Sequence, residues 1–255
     1  MQAEFKRGGL KWALDLNEGI DFAIFLLGSF EPDLVQSYRR LIQPGATVLD
    51  IGANIGAHTL PLARHVGPNG RVIAIEATEY ACTKLRKNLS LNPELEPRVT
   101  VVHAMLVADH TIPAETAIHS SWPLAGTEKT HDILCGALKA VSDAKVVTLD
   151  TQIKELALSS IDWIKIDVDG HELSVLRGAR ECLTKHKPGI FMELAPYCYA
   201  NEPSGFSELV NLLSNAGYFF FRLPDKSPLP ADPATLVQHE IPRNGSINVL
   251  AINTQ

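Results

Sequence analysis

The 255-residue chain carries 45% hydrophobic and 20% charged residues with a formal net charge of -6. That balance excludes disordered, collagen-like and coiled-coil classes and leaves one large globular domain or two small ones. Its 23 lysines and arginines are scattered, so neither a nucleic-acid backbone nor an anionic membrane is an expected partner.

Met1 to Leu16 mixes Glu4, Lys6, Arg7 and Asp15 with apolar residues and has no signal-peptide core, and the apolar stretch Ala23 to Leu27 is too short to span a bilayer. A cytoplasmic chain without membrane insertion is expected. Cys82, Cys135, Cys182 and Cys198 lack CxxC pairing and read as reduced thiols, mostly in the core. Glu31-Pro32-Asp33 opens a helix with Leu34, Val35, Tyr38, Leu41 and Ile42 as its apolar positions, and residues 1–44 are expected to cover the sheet. Five β-branched runs follow: Thr47–Ile51, Arg71–Glu76, Arg98–Val102, Asp162–Val168 and Gly189–Leu194. Helical spacing lies between them at Ala81, Leu85 and Leu89, and again at Leu173, Leu176, Ala179 and Leu183.

This alternation predicts a single α/β domain over residues 1–255, with a mostly parallel sheet and helices on both faces. A helix with Phe206, Leu209, Leu212 and Leu213 ends at Gly217, Tyr218–Leu223 reads as a strand, and Asn248–Ile252 is expected to pair antiparallel at the sheet edge. From Met105 to Ala144 the periodicity fades among His110, His119, His131, prolines and glycines. A segment of that length is expected to be a substrate-side insertion.

Four predicted strands finish with a carboxylate: Asp50, Glu76, Asp167 and Glu193. A carboxylate beside a buried strand is costly unless it is paired or faces a cavity. In open α/β sheets the cavity lies outside the carboxyl ends of the strands, so the four acids are expected around one crevice. After the first strand, Asp50-Ile51-Gly52-Ala53-Asn54-Ile55-Gly56 is a tight turn in which Gly52 lets a ligand approach and Gly56 starts a helix close to the sheet. The fingerprint GxGxxG is incomplete here, because the glycine that admits a pyrophosphate is missing between Gly52 and Gly56. Glu76 stands where an acid accepts hydrogen bonds from ribose hydroxyls. A nucleoside without a pyrophosphate therefore fits best, with S-adenosylmethionine ahead of the nicotinamide cofactors.

Val48-Leu49-Asp50-Ile51-Gly52-Ala53-Asn54-Ile55-Gly56-Ala57-His58-Thr59-Leu60 resembles the first motif of FkbM-type S-adenosylmethionine-dependent methyltransferases. Ile161 to Glu172, which reads IDWIKIDVDGHE, followed by Val175-Leu176-Arg177-Gly178-Ala179, resembles that family's KIDVEGxE…LRGA motif. Weaker likeness at Thr148-Leu149-Asp150 and Phe191-Met192-Glu193 extends the resemblance over residues 28–223. Two departures are Asp169, where the family often has Glu, and Glu76-Ala77-Thr78, where it often has Glu-Pro. The resemblance implies a Rossmann-like class I methyltransferase sheet. It also implies that Asp50, Gly52, Ala53, Asn54 and Gly56 form the cofactor turn, that Glu76 binds the ribose, and that His103 and Ala104, just after the third strand, lie beside the adenine.

The family is associated with methylation of hydroxyls on sugars and polyketides, so the expected substrate is a small molecule or glycan. An aliphatic hydroxyl holds its proton tightly and needs a general base or a metal. Asp167 is the candidate base with Lys165 beside it on the same strand face, and His171 and Glu172 are further catalytic candidates. A structural Lys165–Asp167 ion pair, and a capping box of Asp169 with Glu172, are the competing structural accounts. Asp167, His171, Glu172 and Glu193 also suit an oxygen-rich Mg²⁺ or Mn²⁺ site, with Asp167 and Glu193 as the metal ligands. Two other functions stay open: a nicotinamide-dependent oxidoreductase or epimerase on the same sheet plan, and a methyltransferase-like module that binds without turnover. Oligomeric state leaves no signature in the sequence.

Overall fold

The computed structural model describes residues 2–110, 117–124, 137–141, 143–200, 202 and 204–254. The chain forms two compact units, Met1–Met105 with Ala114–Lys145, and Leu106–Pro113 with Val146–Gln255. Among the described residues, no helix is long and apolar enough to cross a membrane.

The first unit opens with an antiparallel hairpin of β1 (Gln2–Arg7) and β2 (Leu10–Asp15). Gly8 and Gly9 turn it with φ of 56° and 80°, the left-handed backbone that two-residue hairpins require. Leu10, Trp12 and Leu14 alternate into the interior. Helices α1 (Gly19–Leu27) and α2 (Pro32–Leu41) follow, and α2 has the apolar face and leading proline expected for it. Then come β3 (Thr47–Ile51), α3 (Thr59–Val66), β4 (Arg71–Glu76), α4 (Glu79–Ser90) and β5 (Val99–Leu106). The three strands are parallel, with Leu49 opposite Ile73 and Ile73 opposite Thr100. Their nearly continuous apolar runs, buried through Val48, Leu49, Ile51, Val72, Ile73 and Ile75, are what parallel strands need. The third strand runs four residues past its expected end at Val102. His103 and Ala104 therefore lie within it rather than after it.

The N-terminal cover sits on helices rather than on bare sheet, with α2 packed on α3 and β2 on α4. Two buried asparagines of the α4 region make the second contact specific. Asn88 accepts from the Ala13 amide at 2.7 Å and donates to the Ile55 carbonyl at 2.9 Å, inside the glycine turn. Asn92 accepts from the Lys11 amide and donates to the Lys11 carbonyl. Asn88→Ala strands a half-buried amide and a buried carbonyl, so the chain is expected to lose about 2 kcal/mol of stability, read as a lower urea midpoint at unchanged slope. A second antiparallel hairpin, β6 (Ala117–Ser121) with β7 (Ala137–Ala140), lies in the expected insertion. His119 falls on β6, while His131 and Cys135 lie outside the described residues.

The second unit holds β8 (Lys145–Val147), α5 (Leu149–Glu155), β9 (Trp163–Ile166), α6 (Glu172–Arg177), α7 (Arg180–Lys185), β10 (Gly189–Leu194), α8 (Gly205–Asn215), β11 (Tyr218–Arg222) and β12 (Ile247–Asn253). Strands β9 and β10 are parallel, with the Trp163 and Phe191 rings stacked at 5.1 Å. β12 runs antiparallel to both β10 and β11 and lies between them, one strand in from the edge expected for it. Val249, Leu250 and Ala251 are all buried and need a neighbour on each side, whereas β11 exposes Phe219 and suits the outer place.

The helix expected over Leu173–Leu183 is two short ones, broken at Gly178-Ala179. A Cβ at Gly178 would stand 2.3 Å from the Val107 carbonyl oxygen, and the Gly178 carbonyl accepts from the Asp150 amide. The Asp150 carboxylate then caps the new start by accepting from the Glu181 and Cys182 amides at 2.8 Å each, an arrangement that stabilises a helix N-terminus.

Candidate functional site

In the first unit the site is the carboxyl end of β3 and β4. Gly52, Asn54 and Gly56 all have left-handed backbone, with φ of 78°, 46° and 90°. The chain thereby turns sharply enough for the Gly52 and Ala53 amides both to donate to the Ile75 carbonyl. At Gly56 a Cβ would approach Leu60 and Leu85 methyls to 2.6 Å. The helix does not start there, as expected, but three residues on at Thr59. Asp50 is fully buried, and its Oδ2 accepts from the Thr59 hydroxyl at 2.5 Å, tying the end of β3 to the first residue of α3.

Glu76 closes the other side. Its Oε1 accepts from the amide and the hydroxyl of Thr78 at 2.9 and 2.8 Å, and its Oε2 accepts from the Asn54 amide at 3.0 Å. A carboxylate has about four acceptor positions, so Oε1 is saturated and Oε2 keeps one more. His103, opposite Glu76 in the β4–β5 register, places Nε2 3.1 Å from the Ala77 carbonyl and Nδ1 3.4 Å from Glu79, so it holds the corner between β4 and α4. Ala104 is buried.

Sequence reasoning gave no role to His58. It is buried two residues beyond Gly56, with Nδ1 3.1 Å from the Tyr38 hydroxyl and Nε2 3.1 Å from Glu31 Oε2. Thr78 and Ser120, whose hydroxyls lie 2.9 Å apart, were also missed. An N-cap threonine just before α4 was readable in principle. Its partner 42 residues away was not.

In the second unit the site is the carboxyl end of β9 and β10. Lys165, 2% exposed, donates to Asp167 Oδ2 at 3.1 Å, while the Asp167 side chain is a third exposed. Glu172 is buried and takes three hydrogen bonds from its own surroundings: Oε1 accepts from the Val168 and Gly170 amides, and Oε2 from the Tyr199 hydroxyl at 2.9 Å. It orders its own loop, and the Asp169–Glu172 capping box does not form, because α6 has no side-chain cap. His171 occupies the cap position by its backbone and is half-buried. Glu193 accepts from the Ser246 hydroxyl. No three of Asp167, His171, Glu172 and Glu193 bring ligand atoms within reach of one cation. The expected Mg²⁺ or Mn²⁺ set is not assembled, since Asp167 is held by an ammonium, Glu172 by its loop and Glu193 by a hydroxyl.

Burial, then Asp167, Glu172 and Glu193, raise the Asp169 carboxyl well above its ordinary range, with Lys165 opposing. A raised folded-state value means that the charged form is disfavoured in the native state, so the penalty grows as pH rises above the unfolded value of about 4. Asp169 has φ of 46°, which asparagine tolerates equally well. Asp169→Asn is expected to stabilise the chain at pH 7, with the gain vanishing toward pH 4 in denaturant titrations. Burial, then Glu172, Asp169 and Glu193, push the Cys198 thiol up to about 12, so it stays protonated at neutral pH. Cys82 and Cys182, both buried, are pushed to about 12 as well, each by burial and nearby carboxylate charge.

A family profile described as "Methyltransferase FkbM domain" matches residues 50–220. Among solved structures, the chain is similar to a methyltransferase FkbM from Methylobacillus flagellatus KT, with a TM-score of 0.50 and 19% identity over 83% of this chain and 44% of that one. It is also similar to an O-methyltransferase from Bacillus cereus solved with SAH, with a TM-score of 0.53 and 18% identity over 88% and 82% of the two chains. An uncharacterized 37.1 kDa protein of transposon TN4556 from Streptomyces fradiae is 24% identical over 57% of this chain and 40% of its own length. The chain thus spans less than half the length of the curated relatives it matches. At such identities the structural likeness establishes the Rossmann-like α/β fold with its mostly parallel sheet. With the profile covering well over half of the residues, the chain belongs to the FkbM family of S-adenosylmethionine-dependent methyltransferases.

Proposed function

We propose that the chain transfers the methyl group of S-adenosylmethionine to a hydroxyl oxygen of a sugar, glycan or similar small molecule. The observation that carries this reading is the pairing of a left-handed Gly52–Gly56 turn with a buried Glu76 whose Oε2 keeps one acceptor position. That position suits a ribose hydroxyl, and the missing middle glycine disfavours a pyrophosphate.

When bound, S-adenosylmethionine supplies an electrophilic methyl group on a sulfonium sulfur. The C–S bond breaks as a C–O bond forms, and the hydroxyl proton must leave. We assign that proton to Asp167, which Lys165 orients, with His171 as the second candidate. Glu172 is assigned to ordering the 168–170 loop, in keeping with its three hydrogen bonds. His103 and Ala104 are assigned to the adenine side. Holding donor and acceptor in line supplies much of the acceleration, since oriented systems reach effective molarities of about 10⁵ M or more.

The test is calorimetric titration of the chain with S-adenosylmethionine, S-adenosylhomocysteine and NAD, followed by transfer of labelled methyl to a panel of hydroxylated acceptors. Binding of the first two without NAD, and label on an acceptor oxygen, are the expected results. NAD binding alone overturns the reading. Turnover is expected to survive exhaustive EDTA dialysis, and a loss restored by Mg²⁺ reinstates Asp167 and Glu193 as metal ligands.

A further inference from the structure

The β6–β7 hairpin was expected on the substrate side, yet its hydrogen bonds lead to the ribose acid. Ser120 is 3% exposed and Thr78 fully buried, and their hydroxyls lie 2.9 Å apart. Proton accounting fixes the direction of the bond. The Thr78 hydroxyl has one proton and gives it to Glu76 Oε1, which as a carboxylate only accepts. Ser120 must therefore donate to Thr78. The result is a directed chain, Ser120 to Thr78 to Glu76, in which each bond polarises the next inside a dry environment.

The hairpin is held in that place from two further sides. The Trp122 amide donates to Glu18 Oε2 at 2.9 Å, while the Trp122 carbonyl accepts from the Gly19 amide at 2.8 Å at the start of α1. On β7, the Lys139 ammonium lies 4.9 Å from the centre of the Tyr80 ring on α4, two residues past Thr78, a distance at which a cation is attracted to the ring.

We propose that Ser120 is a positioning residue for the cofactor. Its hydroxyl fixes Thr78, and through Thr78 it fixes the rotamer of Glu76, so the hairpin belongs to the cofactor-binding machinery. The proposal rests on the ribose role given to Glu76 above. Glu76 can present Oε2 outward only while Oε1 is held inward, and Thr78 holds it with both its amide and its hydroxyl. Without the Ser120 proton the Thr78 hydroxyl loses its fixed donor and the carboxylate gains rotational freedom. An acceptor that must be frozen on binding binds more weakly.

The experiment uses S-adenosylhomocysteine as the probe, titrated by calorimetry into the full chain. Ser120→Ala is expected to raise Kd about fivefold, the worth of one buried hydrogen bond. Ser120→Thr keeps the hydroxyl and restores affinity. In a Thr78→Val background the relay is already cut, so adding Ser120→Ala changes Kd no further. A purely structural serine gives a lower unfolding midpoint with an unchanged Kd, which overturns the proposal. A readout on the wild-type chain covers the case of variants that do not fold: binding of the probe is expected to slow amide exchange across 117–121, and unchanged exchange overturns the proposal as well. If the wild-type chain does not bind the probe, the cofactor reading itself falls. Binding with an indifferent Ser120 removes this inference alone.

Discussion

Asp167→Asn is expected to lower kcat by about 10²–10⁴-fold, the usual worth of a general base, while leaving the Kd for S-adenosylhomocysteine within about twofold. Asparagine keeps the size of the side chain and can still accept from the Lys165 ammonium, 3.1 Å away in the wild-type chain. It cannot take a proton. The partial exposure of Asp167 next to an almost fully buried Lys165 fits a group that meets an incoming hydroxyl on one side and is held in register on the other. The competing account is an ion pair that only stabilises the β9 end, because a buried ammonium needs a counter-charge. The two accounts separate cleanly. Asp167→Asn removes a counter-charge of the buried Lys165 in either case, so the midpoint does not discriminate; if Asp167 is structural, cofactor affinity and turnover fall together, and if it is the base, turnover falls at unchanged cofactor affinity. A phenolic acceptor adds a second discriminator. Its proton leaves far more readily than that of an aliphatic alcohol, so the loss of the base is expected to be several-fold smaller on it.

Those elements that tertiary packing merely confirms were the legible ones. β3, β4 and β10 begin and end at the residues the sequence marks, because each is an apolar run buried on both faces and entered through proline or glycine. The acids Asp50 and Glu76 were legible for the same reason, as polar residues closing buried runs. Long-range packing decided the rest. Leu173, Leu176, Ala179 and Leu183 keep helical spacing, yet the helix breaks where Gly178 meets the Val107 carbonyl, seventy-one residues away in the chain. β12 looks like an edge strand until its burial on both faces requires two neighbours.

The N-terminal hairpin shows a different failure. Its signal is present as a Gly8-Gly9 turn between two runs of alternating polarity, but each run is only six residues long and carries charged residues among its apolar ones. In the second unit the sequence marks acids at the strand ends but not what they hold. Glu172 has the spacing of a capping partner, and only the fold shows its oxygens turned to Val168, Gly170 and Tyr199. Hydroxyl relays such as Ser120 to Thr78 leave no periodicity at all, since one serine among many carries no local pattern.

Glu76→Ala is expected to weaken S-adenosylhomocysteine binding by about 2 kcal/mol, roughly thirtyfold, the worth of a hydrogen bond to a charged group. The variant loses more than the acceptor for the ribose. It also strands the Asn54 and Thr78 amides that donate to the carboxylate, so some stability is lost with the affinity. Glu76→Gln isolates the charge, because it keeps the shape and one acceptor oxygen. Either way round, however, its amide nitrogen faces a backbone N–H, that of Asn54 or that of Thr78, as donor against donor. Affinity is therefore expected to fall almost as far in Gln as in Ala, while the denaturant midpoint recovers part of the way. A ligand change gives the complementary measurement. An S-adenosylhomocysteine analogue without the ribose hydroxyls is expected to bind the wild-type chain about as weakly as the natural ligand binds Glu76→Ala, and Glu76→Ala is expected to bind both alike. A wild-type chain that does not distinguish the two ligands, or a Glu76→Ala chain that still does, removes Glu76 from the ribose, because the missing hydroxyls and the missing carboxylate must represent the same bond.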